Sequence, residues 1–136
     1  MWIHIVEDSV QKHDYIKVTL AGIFPEAEFT YTTTWQKTLQ KLIESKMKSG
    51  NEPDLIIMDM MFPRRIGDGV RHDMGLTTYE DILKRGLKSK VIFFSSEDQT
   101  NLLEEHGHDV PCVVYGSGST NEELNDALVT IGLLKC

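Results

Sequence analysis

The residues best suited to chemistry in this 136-residue chain are carboxylates and hydroxyls that each follow a short apolar run. Glu7 and Asp8 follow Trp2-Ile3-His4-Ile5-Val6, and Asp59 follows Asp54-Leu55-Ile56-Ile57-Met58. Ser95 and Ser96 follow Lys90-Val91-Ile92-Phe93-Phe94, and Tyr115 follows Val110-Pro111-Cys112-Val113-Val114. If these runs are neighbouring strands, the carboxylates meet at one rim and repel, and without a cation at least one pKa must rise. A hard divalent ion relieves that repulsion, and Mg2+ suits one or two carboxylates together with waters and a phosphate. Asp59, ending the most apolar run, is placed to act as a carboxylate nucleophile. The Ser95 hydroxyl is placed to donate to a phosphoryl oxygen. Together these parts describe a phosphoryl-transfer site, where positioning and charge neutralisation supply most of the catalysis.

The elements that must position them alternate along the chain. Residues from about Ser9 to Gly22 read as a helix that Asp8 or Ser9 caps and Pro25 closes. Ala27–Tyr31 reads as a weak second strand. Thr34 caps a helix in which Trp35, Leu39, Leu42, Ile43 and Met47 share one face, and Ser49-Gly50-Asn51 ends it. After the third strand, a helix from about Leu76 to Arg85 places Leu76, Tyr79, Ile82 and Leu83 on one face. The fourth strand is followed by a short helix over about Gln99 to His106. The fifth is followed by a helix with Leu124, Ala127, Leu128 and Ile131 at helical spacing. Strand then helix, five times over, predicts an α/β chain with a doubly wound five-stranded parallel sheet, a (βα)5 three-layer sandwich. Ligands in that architecture sit beyond the carboxyl ends of the strands, where these carboxylates fall.

Composition bounds the function. Length predicts a single domain over residues 1–136. Hydrophobic residues at 40% and charged residues at 26% predict a globular chain rather than a disordered one. A net charge of -7 argues against direct nucleic-acid binding and suits a protein that holds cations or meets basic partners. Cys112 and Cys136 form no CxxC pair, so a disulfide scaffold is excluded and a reducing compartment expected. The sequence shows neither a membrane-spanning apolar stretch nor a signal-peptide pattern, which predicts a cytoplasmic protein with no membrane partner.

Ile5-Val6-Glu7-Asp8-Ser9, Asp54-Leu55-Ile56-Ile57-Met58-Asp59 with Pro63 shortly after, and Val91-Ile92-Phe93-Phe94-Ser95-Ser96-Glu97 together resemble the receiver domain of two-component response regulators, of the stand-alone chemotaxis-regulator type. The resemblance covers nearly the whole chain and implies a flavodoxin-like fold. It implies that Asp59 accepts a phosphoryl group from a sensor histidine kinase, a phosphotransfer protein or a small phosphodonor. Glu7 and Asp8 then hold Mg2+ together with Asp59, and Met61 gives a backbone carbonyl to the metal. Ser95 contacts the phosphoryl group and relays its presence, a shift of population between two packings. Such a domain is a signalling switch rather than an enzyme. Its output is contact with a downstream protein target, through a face built from the fourth helix, the fifth strand and the fifth helix.

Three features depart from that family. Its lysine at the end of the fifth strand is absent: the place reads Val113-Val114-Tyr115-Gly116, and no lysine occurs from 91 to 134. Its aromatic switch position holds Cys112. The segment after Pro63 is longer by about ten residues, and loops of that kind are usually functional or disordered. This segment, Arg64-Arg65-Ile66-Gly67-Asp68-Gly69-Val70-Arg71-His72-Asp73, carries three of the chain's four arginines. Two roles are open for it: an arginine such as Arg64, Arg65 or Arg71 stands in for the lysine, or the loop is a partner-docking lid. Tyr115 offers a neutral hydrogen bond in the same place, weaker than a charge-assisted one.

Other motifs read more plainly. Cys112 is a small buried apolar residue, and Trp35 and its leucines are core. His106-Gly107-His108-Asp109 is a solvated loop rather than a metal site. Gly116-Ser117-Gly118-Ser119-Thr120 is a turn with Thr120 as helix cap. The alternative to a phosphorylated receiver is a phosphorylation-independent adaptor of the same fold. A Mg2+-dependent phosphatase ranks lower, because the general acid expected two residues past Asp59 is replaced by Met61.

Overall fold

The structure, a computed structural model, describes residues 1–135; Cys136 lies outside the described residues. The elements run β1 (Trp2–Val6), α1 (Val10–Ile23), β2 (Glu28–Thr32), α2 (Trp35–Ser49), β3 (Leu55–Met58), β4 (Phe62–Pro63), β5 (Val70–Arg71), α3 (Met74–Lys84), β6 (Lys90–Ser95), α4 (Thr100–Glu105), β7 (Cys112–Val114) and α5 (Thr120–Thr130). Five strands form one parallel sheet in the order β2-β1-β3-β6-β7. The chain therefore steps outward from β1 to β2, then crosses to β3 on the other side. That reversal opens a crevice beyond the carboxyl ends of β1 and β3.

Alternate residues of the central strands feed two cores. Val6, Ile56, Met58 and Phe93 pack under α2 and α3 with Leu39, Leu42 and Ile82. Ile3, Ile5, Leu55, Ile57, Ile92 and Phe94 pack under α1 and α5 with Ile16, Leu20, Leu124 and Leu128. Burial on both faces explains why β1 and β3 read as continuous apolar runs instead of alternating ones. The three-layer, doubly wound expectation is what the chain adopts.

Local details refine the sequence reading. Ser9, at extended dihedrals, caps α1 by accepting from the Lys12 N–H at 3.4 Å. Thr34 caps α2 in the same way, at 3.1 Å from the Lys37 N–H. Gly50 ends α2 at φ 71°, a left-handed conformation that glycine adopts without a Cβ penalty. Met47 and Leu83, expected on apolar faces, are exposed: Met47 lies beyond the core on the last turn of α2, and Leu83 lies off the buried stripe of α3. Thr120 begins α5 but does not cap it. Its hydroxyl donates to the Val114 carbonyl at 3.0 Å and accepts from the Gly116 N–H at 3.2 Å, tying the turn to β7. Cys112 is only half-buried. The segment after Pro63 is an ordered antiparallel hairpin, with Phe62 opposite Arg71 and Pro63 opposite Val70. His108 is bound rather than solvated, with Nε2 3.0 Å from Glu80 Oε2. Among the described residues no helix is long and apolar enough to cross a membrane.

A buried polar network fastens the edge of the sheet. His4 is fully buried, with Nδ1 2.6 Å from Thr30 Oγ1 and Nε2 2.9 Å from Thr32 Oγ1. Thr32 Oγ1 lies 2.6 Å from Thr38 Oγ1, and the Thr38 hydroxyl donates to the Thr34 carbonyl at 2.7 Å. Burial first, and the positive charge of Lys41 second, lower the His4 pKa from 6.5 to about 4. A depressed folded-state pKa makes this contribution complete above pH 6.5 and lost as pH falls towards 4. Urea midpoints measured from pH 7 to 4 should therefore fall more steeply in the wild type than in His4→Phe, by on the order of 3 kcal/mol across the range. Parallel pH profiles for the two proteins would contradict this assignment.

Candidate functional site

The sheet's hydrogen-bond ladder continues one residue past the regular strands and fixes the rim. The Glu7 N–H donates to the Thr32 carbonyl at 3.1 Å, and the Asp59 N–H donates to the Val6 carbonyl at 2.9 Å. Glu7 and Asp59 are thereby held on adjacent strands with 2% and 3% exposure, while Asp8 faces solvent. One carboxylate oxygen from each of Glu7, Asp8 and Asp59 lies within 4.8 Å of the others. The convergence expected from the three sequence positions is present.

Glu7 Oε1 accepts from the Ser9 N–H at 3.0 Å, but Oε2 is buried with no hydrogen-bond partner. Buried acceptors are rarely left this way, and such an atom calls for an explanation. Asp59 Oδ1 accepts from the Met60 N–H at 2.8 Å. Burial, and then the charge of Asp59, raise the Glu7 pKa from 4.5 to about 8. Burial raises Asp59 as well, against the opposing pull of Lys12 and of the Met61 and Met60 N–H groups. An all-oxygen donor set with a buried oxygen that accepts no hydrogen bond fits a hard divalent cation such as Mg2+.

The positive charge at the rim comes from Lys12, which the sequence reading did not single out. Its Nζ lies 3.6 Å from Glu7 Oε2 and 3.6 Å from Asp59 Oδ1. It also donates to Ser96 Oγ at 3.3 Å and sits 5.9 Å from the centre of the Tyr115 ring. A signal was available. Lys12 is the third residue of α1, where an acid is favoured by the helix dipole, and the first turn of α1 holds no acid. Side chains in a helix lean towards its N-terminus, which here is the Glu7-Asp8 corner.

The loop arginines are elsewhere. Arg64 stacks on the Trp35 ring with its guanidinium carbon 4.8 Å from the centroid. Arg65 is exposed, and Arg71 pairs with Asp73 at 3.8 Å. The cation against Asp59 is Lys12, so the expectation that an arginine of this loop fills the place is corrected. The hairpin is pinned outward by the Arg64 carbonyl, which accepts from the Gln36 N–H at 3.0 Å. Tyr115 packs edge-on against Tyr15 at 5.5 Å and tilted against Phe94 at 5.7 Å, and it underlies Lys12. Met61 turns its sulfur to His72 Nδ1, 3.1 Å away. Ser95, 1% exposed, ends β6 two residues past Phe93, the register partner of Met58; its Oγ accepts from the Glu97 N–H at 3.4 Å.

Gly75 is a second residue that sequence reasoning passed over. It is the second residue of α3, and its N–H donates to the Met60 carbonyl at 2.9 Å. A Cβ there would stand 2.2 Å from the Asp59 carbonyl oxygen and 2.7 Å from Met60 Cα. Both are backbone atoms, so the helix can approach the Asp59 corner this closely only through glycine.

No protein-family model matches this sequence, and no curated protein does. The fold, by contrast, matches many solved structures. The bacteriophytochrome response regulator RtBRR superposes with a TM-score of 0.78 at 15% identity, over 99% of this chain and 80% of that one. The response regulator TrrA from Thermotoga maritima, solved in complex with Mg2+-BeF, gives 0.68 at 20% identity over 96% and 97% of the two chains. The phosphorylated cyanobacterial phytochrome response regulator RcpA gives 0.67 at 18% identity over 93% and 87%. The chain has the response-regulator receiver fold, as its strand-end motifs led one to expect.

Three outcomes follow from this geometry. A raised folded-state pKa at Glu7 contributes stability that is present below pH 4.5 and lost as pH rises through about 8. In EDTA, the wild type should lose roughly 1–3 kcal/mol relative to Glu7→Gln between pH 5 and 8.5, and saturating Mg2+ should flatten that difference; a pH-independent offset in urea titrations would count against it. Gly75→Ala should cost roughly 2 kcal/mol by the same measurement, because the clash outweighs the helix-propensity gain of about 1 kcal/mol. Gly22→Ala in α1, where a Cβ meets nothing within 4 Å, should be neutral or stabilising.

Proposed function

We propose that residues 1–136 act as one receiver-like signalling unit in which Asp59 accepts a phosphoryl group. Glu7, Asp8, Asp59 and the main-chain carbonyl of Met61 hold Mg2+, and Ser95 hydrogen-bonds the phosphoryl group and relays its presence. The donor is a sensor histidine kinase or phosphotransfer protein. The output is contact with a protein target in the cytoplasm, with no nucleic acid or membrane bound directly. The observation that carries this reading is the convergence of Glu7, Asp8 and Asp59 at one rim, with Glu7 Oε2 buried, free of any hydrogen bond and met only by Lys12 at 3.6 Å.

The chemistry asks little of the protein beyond placement. An Asp59 carboxylate oxygen attacks phosphorus, and the bond from phosphorus to the leaving group breaks. With phosphoramidate the nitrogen departs as ammonia, keeping the three protons of the zwitterion. The product is an acyl phosphate on Asp59. Bound Mg2+ supplies charge neutralisation between the carboxylates and the phosphoryl oxygens. The N–H groups of Met60 and Met61 already face the Asp59 carboxylate and hold it in orientation.

A phosphorylation-independent adaptor remains the second reading, and one observation favours it: Lys12 already balances Glu7 and Asp59 without a metal. Intact-mass measurement after incubation with Mg2+ and phosphoramidate or acetyl phosphate separates the two. The expected result is an adduct of about 80 Da, absent in Asp59→Asn and absent in EDTA. A folded wild type that takes up neither phosphoryl group nor Mg2+ establishes the adaptor instead.

A further inference from the structure

We propose that Lys12, delivered from helix α1, is the cation that meets the phosphoryl group on Asp59, in place of any cation from the β7 strand end. This rests on Asp59 being the phosphoacceptor. An incoming phosphoryl group brings negative charge to a rim that already holds three carboxylates. Apart from the metal, a protein cation must neutralise it. Residues 91–134 contain no lysine or arginine, so α4, β7, α5 and the rim end of β6 have none to offer; Lys90 stands at the opposite end of β6. The loop arginines are committed to Trp35, to Asp73 or to solvent. Lys12 is the basic side chain that reaches Asp59 among the described residues.

Its setting suits transfer between partners. The two carboxylate contacts at 3.6 Å are ionic rather than hydrogen-bonded. The ammonium is steadied by Ser96 Oγ and by the Tyr115 ring below it. The side chain is 13% exposed, so solvent screening is small. Its flexible four-carbon stem lets Nζ exchange one oxygen for another without moving the helix.

The proposal has a signature that a structural ion pair lacks. Lys12 and Mg2+ draw on the same two carboxylates. Removing the ammonium must tighten metal binding while slowing phosphoryl transfer, two effects of opposite sign. Lys12→Gln is expected to bind Mg2+ about threefold to tenfold more tightly by calorimetry and to form the phosphoramidate adduct at least about tenfold more slowly at saturating Mg2+. Tyr115→Lys added to Lys12→Gln should restore much of the rate by supplying the charge from β7. Lys17→Gln, an exposed change of equal charge on the same helix, should alter neither quantity. Lys12→Met keeps the aliphatic stem on Tyr115 and replaces Lys12→Gln if circular dichroism shows that variant unfolded. A wild type that is phosphorylated while Lys12→Gln matches its rate overturns the role of Lys12 alone. A wild type that takes no phosphoryl group overturns the reading of Asp59 beneath it.

Discussion

Two carboxylates buried side by side at the end of a parallel sheet are the constraint around which this molecule is arranged. At separations near 5 Å and an effective dielectric near 20, their mutual repulsion is about 3–4 kcal/mol, before the cost of burial is counted. An ammonium at 3.6 Å from each attracts either one by about 4–5 kcal/mol on the same scale. Counted over both carboxylates, one lysine outweighs their mutual repulsion, but two carboxylates and one ammonium are still net negative, and Asp8 at the mouth adds a further negative charge. Burial first, and the neighbouring carboxylates after it, raise the pKa values of Glu7 and Asp59. A rim in this condition is poised: a proton, a lysine or a divalent ion each satisfies part of it.

The fold makes this proximity unavoidable. Strand order reverses between β1 and β3, so the loops leaving them diverge to opposite faces. The backbone at both ends stays hydrogen-bonded through Asp59 N–H to Val6 carbonyl. The β4–β5 hairpin carries the inserted residues away from the sheet, and α3 returns so tightly that Gly75 touches the Asp59 corner. Accommodating the insertion outside this contact keeps Asp59 where the parallel sheet puts it. The arginines ride on the hairpin for the same reason and stay off the rim.

Much of this was legible in the residues because it is written in local pattern. Runs such as Leu55-Ile56-Ile57-Met58, apolar on both faces, declare a central parallel strand, and a carboxylate closing each run marks the rim. What escaped were features decided by packing between distant segments. Lys12 on a helix reads as a solvated charge, and only its place against the dipole hinted otherwise. Two-residue strands such as Phe62-Pro63 and Val70-Arg71 carry no periodicity at all. Met47 continues the apolar stripe of α2 by spacing, yet the core ends before it, and spacing alone cannot say where a neighbouring layer stops. His4 reads as one more strand residue, although its contacts to Thr30 and Thr32, and the Thr32–Thr38 bond beyond them, hold β2 and α2 to β1.

Supplying the rim's cation from α1 also changes what the rim is mechanically joined to. Lys12 and Tyr15 stand three residues apart on α1, on neighbouring positions of one helical face. Tyr15 donates its hydroxyl to Asn121 at the start of α5 and packs edge-on against Tyr115 at the end of β7. Lys12 lies over that same Tyr115 ring and reaches Ser96 just beyond β6. A single helical turn thus connects the carboxylates to β6, β7 and α5 through side chains rather than through the backbone of β7. A lysine carried on β7 would report the charge at Asp59 chiefly to its own strand. A lysine on α1 ties the rim to an aromatic cluster of Tyr15, Phe94 and Tyr115 drawn from α1, β6 and the end of β7.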